Sequence, residues 1–356
     1  MKTFRYIFAA LALLISSTLF AQLQHAGEID GAAFIVDVPA EPSGDVLFIA
    51  RGYRPDFFPV SAVYEVGTNF YQTLLHEGWT IASTAFQSND WVVAEGGADI
   101  LALQAHIEAE IHPIERSFLY GETMGGGVAV WLAENEPENF SGALCLGAHL
   151  FPEPGPEITT SPVLAKIFTA NPMLPIVLLA NGEEMLSSQS YLDAVDETAY
   201  TPITWFIDRP GHVNVNSAER LAAMRALVAW CEGAPITPVE DGTIAMSPDS
   251  VAAVGEDVVA GNITRIRPLY GNIYTNFVAD DLAQLGIEIG DTFTLLHKDK
   301  RYPITFAQAY SDVPYGEWVA FMDSEAHVQI SRNYANAAET LSAVSGDPIL
   351  LSNQLE

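Results

Sequence analysis

Positive charge is scarce in this sequence. The chain of 356 residues carries 15 Lys and Arg against 45 Asp and Glu, which gives a formal net charge of -30 at pH 7. The acidic residues are spread along the chain and are not collected in a tail, which indicates a solvated acidic surface. Because nucleic acids and anionic membranes are also negatively charged, both are poor partners for such a surface.

Cysteine is also rare, with only Cys145 and Cys231 in the chain. An exported protein could pair them in a disulfide. However, both lie in apolar runs, where a free cysteine behaves as a small buried hydrophobic residue. The sequence has no Cys or His pairs at the spacing of zinc ligands, so we predict neither a metal site nor a cofactor.

No apolar run is long enough to span a membrane. Residues 1–21 contain Lys2 and Arg5, then an apolar run from Ile7 to Leu14, and small residues up to Ala21. This is the layout of a secretory signal peptide, and its apolar core is shorter than the roughly 20 residues of a spanning helix. We therefore expect cleavage near Ala21, a periplasmic or secreted location, and no membrane attachment of the mature chain.

Strand-like and helix-like patterns alternate from residue 28 to about residue 233. The predicted strands are 33–36, 46–50, 79–85, 117–120, 142–146, 175–180 and 203–207. The predicted helices are 70–77, 98–111, 125–134 and 218–231. This alternation predicts an α/β domain with a doubly wound, mostly parallel sheet that binds ligands at the carboxyl ends of its strands. The segment 151–175 is rich in Pro and Gly and is predicted to be an insertion, which is either a lid or a surface loop.

The alternation ends near Gly233, where an acidic, turn-rich stretch begins. The predicted division of the chain is a signal peptide at 1–21, a first domain at 22–234, a linker at 235–257 and a second domain at 258–356. Short β-like runs dominate after residue 258; they are 263–266, 292–296, 304–307, 318–321, 328–330 and 348–351. The second domain is therefore predicted to be a small β-rich, barrel-like module.

One motif in the first domain has the chemistry of a nucleophile. The strand-like run from Ser117 to Tyr120 leads into Gly121-Glu122-Thr123-Met124-Gly125, which is followed by a helix-like run. A strand, a cramped turn and a helix are the context of the G-x-S-x-G elbow, which holds a hydroxyl above the sheet. Here the hydroxyl belongs to threonine, whose extra methyl group stiffens the side chain and crowds the attack path.

These residues resemble the α/β-hydrolase superfamily, in particular its exported serine hydrolases and esterases. Residues 120–126, Tyr-Gly-Glu-Thr-Met-Gly-Gly, follow that family's Y-G-x-S-M-G-G apart from the exchange of Ser for Thr. The resemblance implies that Thr123 is the nucleophile and that His212, in the loop before the last helix, is the base. For the acid, the family's G-x-x-D spacing falls on Met185, so Glu184 is the first candidate and Glu183 the second.

The same resemblance implies an oxyanion hole made of two backbone N–H groups. One is that of Met124, and the other is that of Tyr53 in the loop after the third strand. This loop reads Arg51-Gly52-Tyr53 where the family usually has His-Gly. Arg51 is expected either to pair with an acid such as Asp56 or to line the pocket. His149 is expected to be a wall residue of the same pocket.

The second domain resembles another family, the C-terminal domain of the S-adenosyl-L-methionine hydroxide adenosyltransferases and halogenases. Residues 267–276, Arg-Pro-Leu-Tyr-Gly-Asn-Ile-Tyr-Thr-Asn, follow that family's D-x-x-F-G-N-x-x-T-N, and residues 331–338 follow a second motif. The resemblance implies that Asn272, Arg332 and Asn333 face an adenosine. Arg267 departs from the family's Asp, and the family's own catalytic domain is absent. Relatives assemble through such modules, which implies a homo-oligomer.

Three hypotheses follow from the sequence. In the first, the chain is an exported α/β-hydrolase that acts on small-molecule carboxylic esters through a nucleophile, His212 and an acid, with Thr in place of Ser. In the second, Thr123, Arg51 and Met185 mark an inactive hydrolase fold that serves as a binding or scaffold protein. In the third, the second domain binds or hydrolyses adenosyl compounds.

Overall fold

The computed structural model describes residues 23–65, 67–150, 167–195, 200–255 and 257–354. The signal peptide predicted at 1–21 lies outside these ranges, as does most of the insertion predicted at 151–175. No helix within the described ranges is long and apolar enough to cross a membrane.

The first domain is built on an eight-stranded sheet in the order β1-β2-β4-β3-β5-β6-β7-β8. Its strands are β1 Leu23–Ile29, β2 Ala32–Val38, β3 Asp45–Ala50, β4 Thr80–Thr84, β5 Arg116–Glu122, β6 Gly142–Leu146, β7 Ile176–Asn181 and β8 Ile203–Ile207. The strands from β3 to β8 are parallel, whereas β2 is antiparallel to both of its neighbours. The carboxyl ends of six parallel strands therefore lie along one edge.

Helices cover both faces of this sheet. The helices are α1 Asn69–His76, α2 Val93–Glu110, α3 Met124–Asn135, α4 Met185–Ala194 and α5 Ser217–Cys231. Successive side chains of a strand point to opposite faces, so in β5 Leu119 packs in the core under α2, α3 and α4. Its neighbours Phe118 and Tyr120 pack in the core under α1 and α5. Both faces are apolar, as a parallel sheet covered on both sides requires.

The second domain is a closed β-barrel. Its strands are β9 Ala253–Val254, β10 Val258–Ile266, β11 Ile273–Thr275, β12 Thr292–His297, β13 Lys300–Phe306, β14 Trp318–Met322, β15 Val328–Arg332 and β16 Pro348–Ser352. They follow the order β11-β15-β14-β13-β12-β16-β10-β9, and pairing of β10 with β11 closes seven of them into a barrel. Two short helices, α6 Ala279–Gln284 and α7 Ala337–Leu341, complete the domain.

The segment between the two domains forms backbone hydrogen bonds with both of them. Val239 runs beside β8, where its carbonyl accepts the N–H of Phe206 at 2.9 Å and its own N–H donates to Thr204 at 3.0 Å. At its other end, β9 pairs with β10. Cys145 and Cys231 are both free, and Cys145 is buried, which agrees with the expectation of two thiols in apolar surroundings.

Candidate active site

Thr123 forms a sharp turn between β5 and α3. Its backbone has φ 51° and ψ -116°, a conformation that is costly for a β-branched residue. The turn is held by two backbone hydrogen bonds: the N–H of Thr123 donates to Leu146 at 2.9 Å, and its carbonyl accepts the N–H of His149 at 3.1 Å. The side chain of Thr123 is partly exposed, at the strand edge where parallel sheets bind ligands.

Glycines allow the chain to approach itself closely around this turn. A Cβ on Gly121 would lie 2.1 Å from the carbonyl oxygen of Gly125, and one on Gly125 would lie 1.9 Å from that of Ala50. A Cβ on Gly126 would lie 2.6 Å from Cβ of Ala148. Each glycine in a helix costs about 1 kcal/mol relative to alanine, so packing at the elbow, and not helix propensity, accounts for the Gly-Gly-Gly start of α3.

His212 and Glu184 form a close pair. The distance from His212 Nδ1 to Glu184 Oε1 is 2.5 Å, and the same oxygen accepts the N–H of Val213 at 2.9 Å. The carboxylate side chain is 14% exposed, whereas the histidine side chain is 60% exposed. A carboxylate on Nδ1 fixes the orientation of the ring and leaves Nε2 free to exchange a proton with a substrate.

The position of this acid differs from the family spacing by one residue. Gly182–Glu184 forms a single 3₁₀ turn directly after β7, and this turn is tighter than an α-helical one. Glu184 therefore reaches His212, while Met185 begins α4. The side chain of Glu183, the second candidate acid, lies outside the part of the chain that the structure describes.

A buried asparagine holds the loop that carries the histidine. Asn181 is 0% exposed, and its Nδ2 donates to the carbonyls of Arg209 at 3.1 Å and Gly211 at 2.7 Å. Its Oδ1 accepts the N–H of Asn214 at 3.0 Å. Arg209 also forms an ion pair of 2.8 Å with Glu219 at the start of α5. The loop is thus bonded both to the end of β7 and to α5.

The segment after β6 connects this pair with the elbow. The Glu184 carboxylate packs on Gly147, where an added Cβ would lie 2.6 Å from Oε1. Two residues later, His149 bonds to the carbonyl of Thr123. The pKa of His149 is lowered first by burial and then by the charge of His212. Glu184 and the elbow therefore contact the same short segment, and the charge of His212 acts on its last residue.

The two predicted oxyanion donors lie on either side of the elbow. Met124 is the first residue of α3, so its N–H has no acceptor within the helix. On the other side, a Cβ on Gly52 would lie only 2.7 Å from Oγ1 of Thr123. The loop of Gly52 and Tyr53 therefore runs directly against the hydroxyl, as a second donor from Tyr53 requires. Both N–H groups remain predicted donors.

Arg51 stabilises the loop after β3 through hydrogen bonds to backbone carbonyls. The side chain is buried, and its three nitrogens donate at 2.7, 3.1 and 2.7 Å to the backbone carbonyls of Ala85, Gly52 and Ser88. These bonds take the place of the expected pair with Asp56. Burial, followed by the charge of Arg54, lowers the pKa of Arg51 to about 10. The guanidinium thus remains a cation at neutral pH.

Aromatic residues line the side of the elbow near His149. Trp91 packs edge-on against the His149 ring at 5.2 Å and lies 5.8 Å from the ring of Tyr53. Within the described residues, Nε1 of Trp91 and Nε2 of His149 are buried without a hydrogen-bond partner. No group of three or more His, Cys, Asp or Glu residues in the described ranges could hold a metal ion.

The residues predicted to face adenosine lie in the barrel and are hydrogen-bonded within it. Nδ2 of Asn272 donates to the hydroxyl of Tyr310 at 2.8 Å, and Nδ2 of Asn333 donates to a backbone carbonyl at 2.9 Å. Nε of Arg332 also donates to a backbone carbonyl at 2.9 Å. An adenosine would have to displace these bonds to use the same groups.

The sequence analysis did not predict two polar residues of this site, Asn181 and Glu122. Asn181 ends the buried strand Ile176–Asn181, and a polar residue at the carboxyl end of an apolar parallel strand is a signal for a site. Glu122 precedes the elbow threonine, where the motif accepts any residue. Its charged partners, Arg220 and Arg267, come from distant parts of the chain, so no local pattern could reveal its role.

The strand order, the antiparallel β2 and the strained turn after β5 define the first domain as an α/β-hydrolase fold with a G-x-T-x-G elbow. Residues 266–350, less than half of the chain, match the family model described as the SAM hydroxide adenosyltransferase C-terminal domain. The chain therefore joins a hydrolase fold to a domain that resembles the C-terminal domain of that family.

Comparison with solved structures gives weak similarities. An uncharacterized conserved protein from Thermotoga maritima is 24% identical, with a TM-score of 0.28, over 35% of this chain and 48% of its own. The chain thus spans about half the length of that protein. A dienelactone hydrolase from Anabaena variabilis is 15% identical, with a TM-score of 0.41, over 59% of this chain and 96% of its own.

An esterase from Pyrococcus furiosus is 13% identical, with a TM-score of 0.42, over 60% of this chain and 91% of its own. A search of curated proteins gave no match. The site described above therefore has to be interpreted from its own geometry.

Proposed function

We propose that the first domain hydrolyses carboxylic esters of small molecules, with Thr123 as the nucleophile, His212 as the base and Glu184 as the acid. The observation that carries the proposal is the Glu184–His212 pair, 2.5 Å apart, whose carboxylate packs on the segment Gly147–His149 that bonds to the strained elbow. A structural ion pair would not need a mostly exposed histidine, whereas a proton shuttle does.

The reaction divides into two steps. In the first, Oγ1 of Thr123 attacks the ester carbonyl carbon and its proton passes to Nε2 of His212. The N–H groups of Met124 and Tyr53 stabilise the tetrahedral oxyanion. The C–O bond to the alcohol then breaks, and His212 returns the proton to the leaving oxygen. In the second step, water gives its proton to His212 and attacks the acyl group, which releases the acid and restores the hydroxyl of Thr123.

The methyl group of Thr123 distinguishes the proposed enzyme from the alternative of an inactive binding or scaffold protein. A threonine nucleophile is slower where its methyl group obstructs attack, and it is inert where the hydroxyl cannot face the carbonyl. Exchange of Thr123 for serine removes only the methyl group, so it separates these two situations.

The test measures hydrolysis of p-nitrophenyl acetate by the mature chain and by Thr123→Ala, Thr123→Ser and His212→Ala. The proposal expects wild-type turnover that falls by about 10³-fold or more in the Ala variants. It also expects an acetyl group on the peptide of Thr123 after rapid acid quenching. Wild-type turnover no greater than that of Thr123→Ala would end the proposal. Activity in Thr123→Ser alone would support the inactive hydrolase fold.

We further propose that the protein acts outside the cytoplasm, because residues 1–21 have the layout of a signal peptide. Fractionation of cells that express the whole gene, followed by N-terminal sequencing, tests this. A mature chain that begins near Gln22 in the periplasm or medium is expected, and an uncleaved cytoplasmic chain would contradict it.

A further inference from the structure

Two arginines of the second domain pair with acids of the first domain. Nε of Arg267 lies 2.6 Å from Oε1 of Glu65, and Arg265 forms an ion pair with the other oxygen of the same carboxylate. Arg267 also reaches Glu122, with 3.8 Å between Nη2 and Oε2. All four side chains are partly buried, so water screens these charges less than at an open surface.

Glu122 also forms a hydrogen bond and an ion pair with residues of the first domain. Its Oε1 accepts the hydroxyl of Tyr120 at 2.8 Å and pairs with Arg220 of α5 at 2.8 Å. Burial raises the pKa of Glu122, but the charges of Arg220 and Arg267, the hydrogen bond from Tyr120 and the charge of His212 together lower it by more. The carboxylate next to the elbow is therefore charged, and its field reaches the proposed base.

The turn of residues 267–270 in the second domain also contacts the loop that carries Tyr53, one of the predicted oxyanion donors. The ring of Tyr270 lies 5.5 Å from that of Phe58, and its hydroxyl is hydrogen-bonded to Arg54. Arg267 in turn lies over the Tyr270 ring at 5.3 Å. One turn of the barrel thus touches both the loop after β3 and the residue before the elbow.

These contacts explain why this chain has an arginine at position 267, where the family that the second domain resembles has an aspartate. Relatives of the second domain are expected to carry an aspartate where this chain has Arg267. An aspartate here would meet Glu65 and Glu122 as a third negative charge, and like charges at such distances repel. The arginine instead gives the two acids a partner.

We propose that Arg267 is a positioning residue of the hydrolase site, supplied by the second domain, which holds the elbow and the loop after β3 and neutralises Glu122 beside His212. The second domain is then a permanent wall of the active site and not an independent ligand-binding module. The kinetic part of this inference rests on the proposed esterase function, whereas its structural part does not.

Removal of the Arg267 charge should leave Glu122 with a single arginine partner, Arg220. The carboxylate is then less fully neutralised beside the elbow, and the turnover of the site should fall.

The experiment compares the full chain with Arg267→Gln, Arg267→Lys and the double variant Arg267→Gln with Glu122→Gln. Arg225→Gln is the matched control, because Arg225 forms an exposed ion pair with Glu77 on the surface of the same domain as His212. On p-nitrophenyl acetate, Arg267→Gln should lower kcat by about tenfold with little change in KM. The double variant, in which residue 122 carries no charge that needs a partner, should recover part of the lost kcat.

Hydrogen exchange gives a readout that needs no turnover. Amides of residues 51–65 and 117–127 should exchange faster in Arg267→Gln than in wild type or Arg225→Gln, with a smaller increase in Arg267→Lys. Unchanged exchange in both segments would overturn the positioning role, whether or not the chain hydrolyses esters. A double variant no more active than Arg267→Gln would overturn the electrostatic role. If Arg267→Gln does not fold, Arg267→Lys tests the positioning role alone, because lysine keeps the charge but cannot contact Glu65 and Glu122 through two separate nitrogens.

Discussion

A methyl group on Gly52 should disable the site through a single clash. The added Cβ would lie 2.7 Å from Oγ1 of Thr123 and 3.2 Å from the carbonyl oxygen of Glu122. The elbow cannot withdraw, because Gly121 and Gly125 already hold it against neighbouring backbone. The loop of Gly52 must therefore move away by about 0.5–1 Å, and the N–H of the next residue moves with it.

The expected magnitude follows from this displacement. Loss of one oxyanion donor costs about 10²–10³-fold in kcat, and a misplacement of about 1 Å costs about 10²-fold. We therefore expect Gly52→Ala to lower kcat on p-nitrophenyl acetate by about 10²-fold, with a smaller change in KM. Overpacking of this kind should also lower the free energy of unfolding by about 1–3 kcal/mol.

The control and the double variant isolate the clash. Gly67→Ala is the control, because a Cβ there has no atom within 4 Å. Thr123→Ala removes Oγ1, so Gly52→Ala should destabilise that background by less than it destabilises wild type, as measured by urea unfolding. Equal destabilisation in both backgrounds, or a Gly52→Ala variant within threefold of wild-type kcat, would refute this reasoning.

Three further predictions follow. Glu184→Gln should lower kcat/KM by about 10²–10⁴-fold, since glutamine cannot stabilise the imidazolium cation; steady-state kinetics that match wild type would exclude Glu184 as the acid. Burial raises the pKa of Glu122, but Arg220, Arg267, Tyr120 and His212 together hold it below its ordinary value of 4.5. The stabilisation that this carboxylate contributes is therefore present above that value and is lost as pH falls through the folded pKa. Urea unfolding should then show a smaller acid-induced loss of stability in Glu122→Gln, and an identical loss would contradict this. Because the amide of Asn272 is already bonded inside the barrel, adenosine or adenosylmethionine at millimolar concentration should not raise the melting temperature; a clear rise would restore the hypothesis of adenosyl binding.

Local patterns in the sequence predicted much of the first domain. The helix predicted at 70–77 is observed at Asn69–His76, and the strand predicted at 203–207 is observed as Ile203–Ile207. By contrast, α2 begins at Val93, five residues before the predicted start. Its first turns contain Gly96 and Gly97, and glycine is a weak helix former. Both glycines are required by packing, since a Cβ would lie 2.9 Å from the ring of Phe86 and 2.7 Å from that of Trp131.

Elements without a strong local pattern were missed. The strand β1 is largely exposed along its length, so it has no apolar alternation, and only its pairing with β2 makes it a strand. The strand β11 has three residues and is likewise defined by its neighbours in the barrel. Such segments become strands because a partner satisfies their backbone N–H and carbonyl groups.

The sequence by itself determined the two fold classes and the strand-turn-helix elbow at Thr123, because each depends on patterns of residues that are close together in the chain. The choice of His212 came from the resemblance to the hydrolase family. Only the tertiary structure decided that Glu184 is the partner of His212, that Asn181 holds the histidine loop, and that Arg267 meets Glu122. Those contacts join residues far apart in the chain, and their geometry depends on one tight turn and on how two domains pack. Neither of these is encoded in a local pattern of apolar and polar residues.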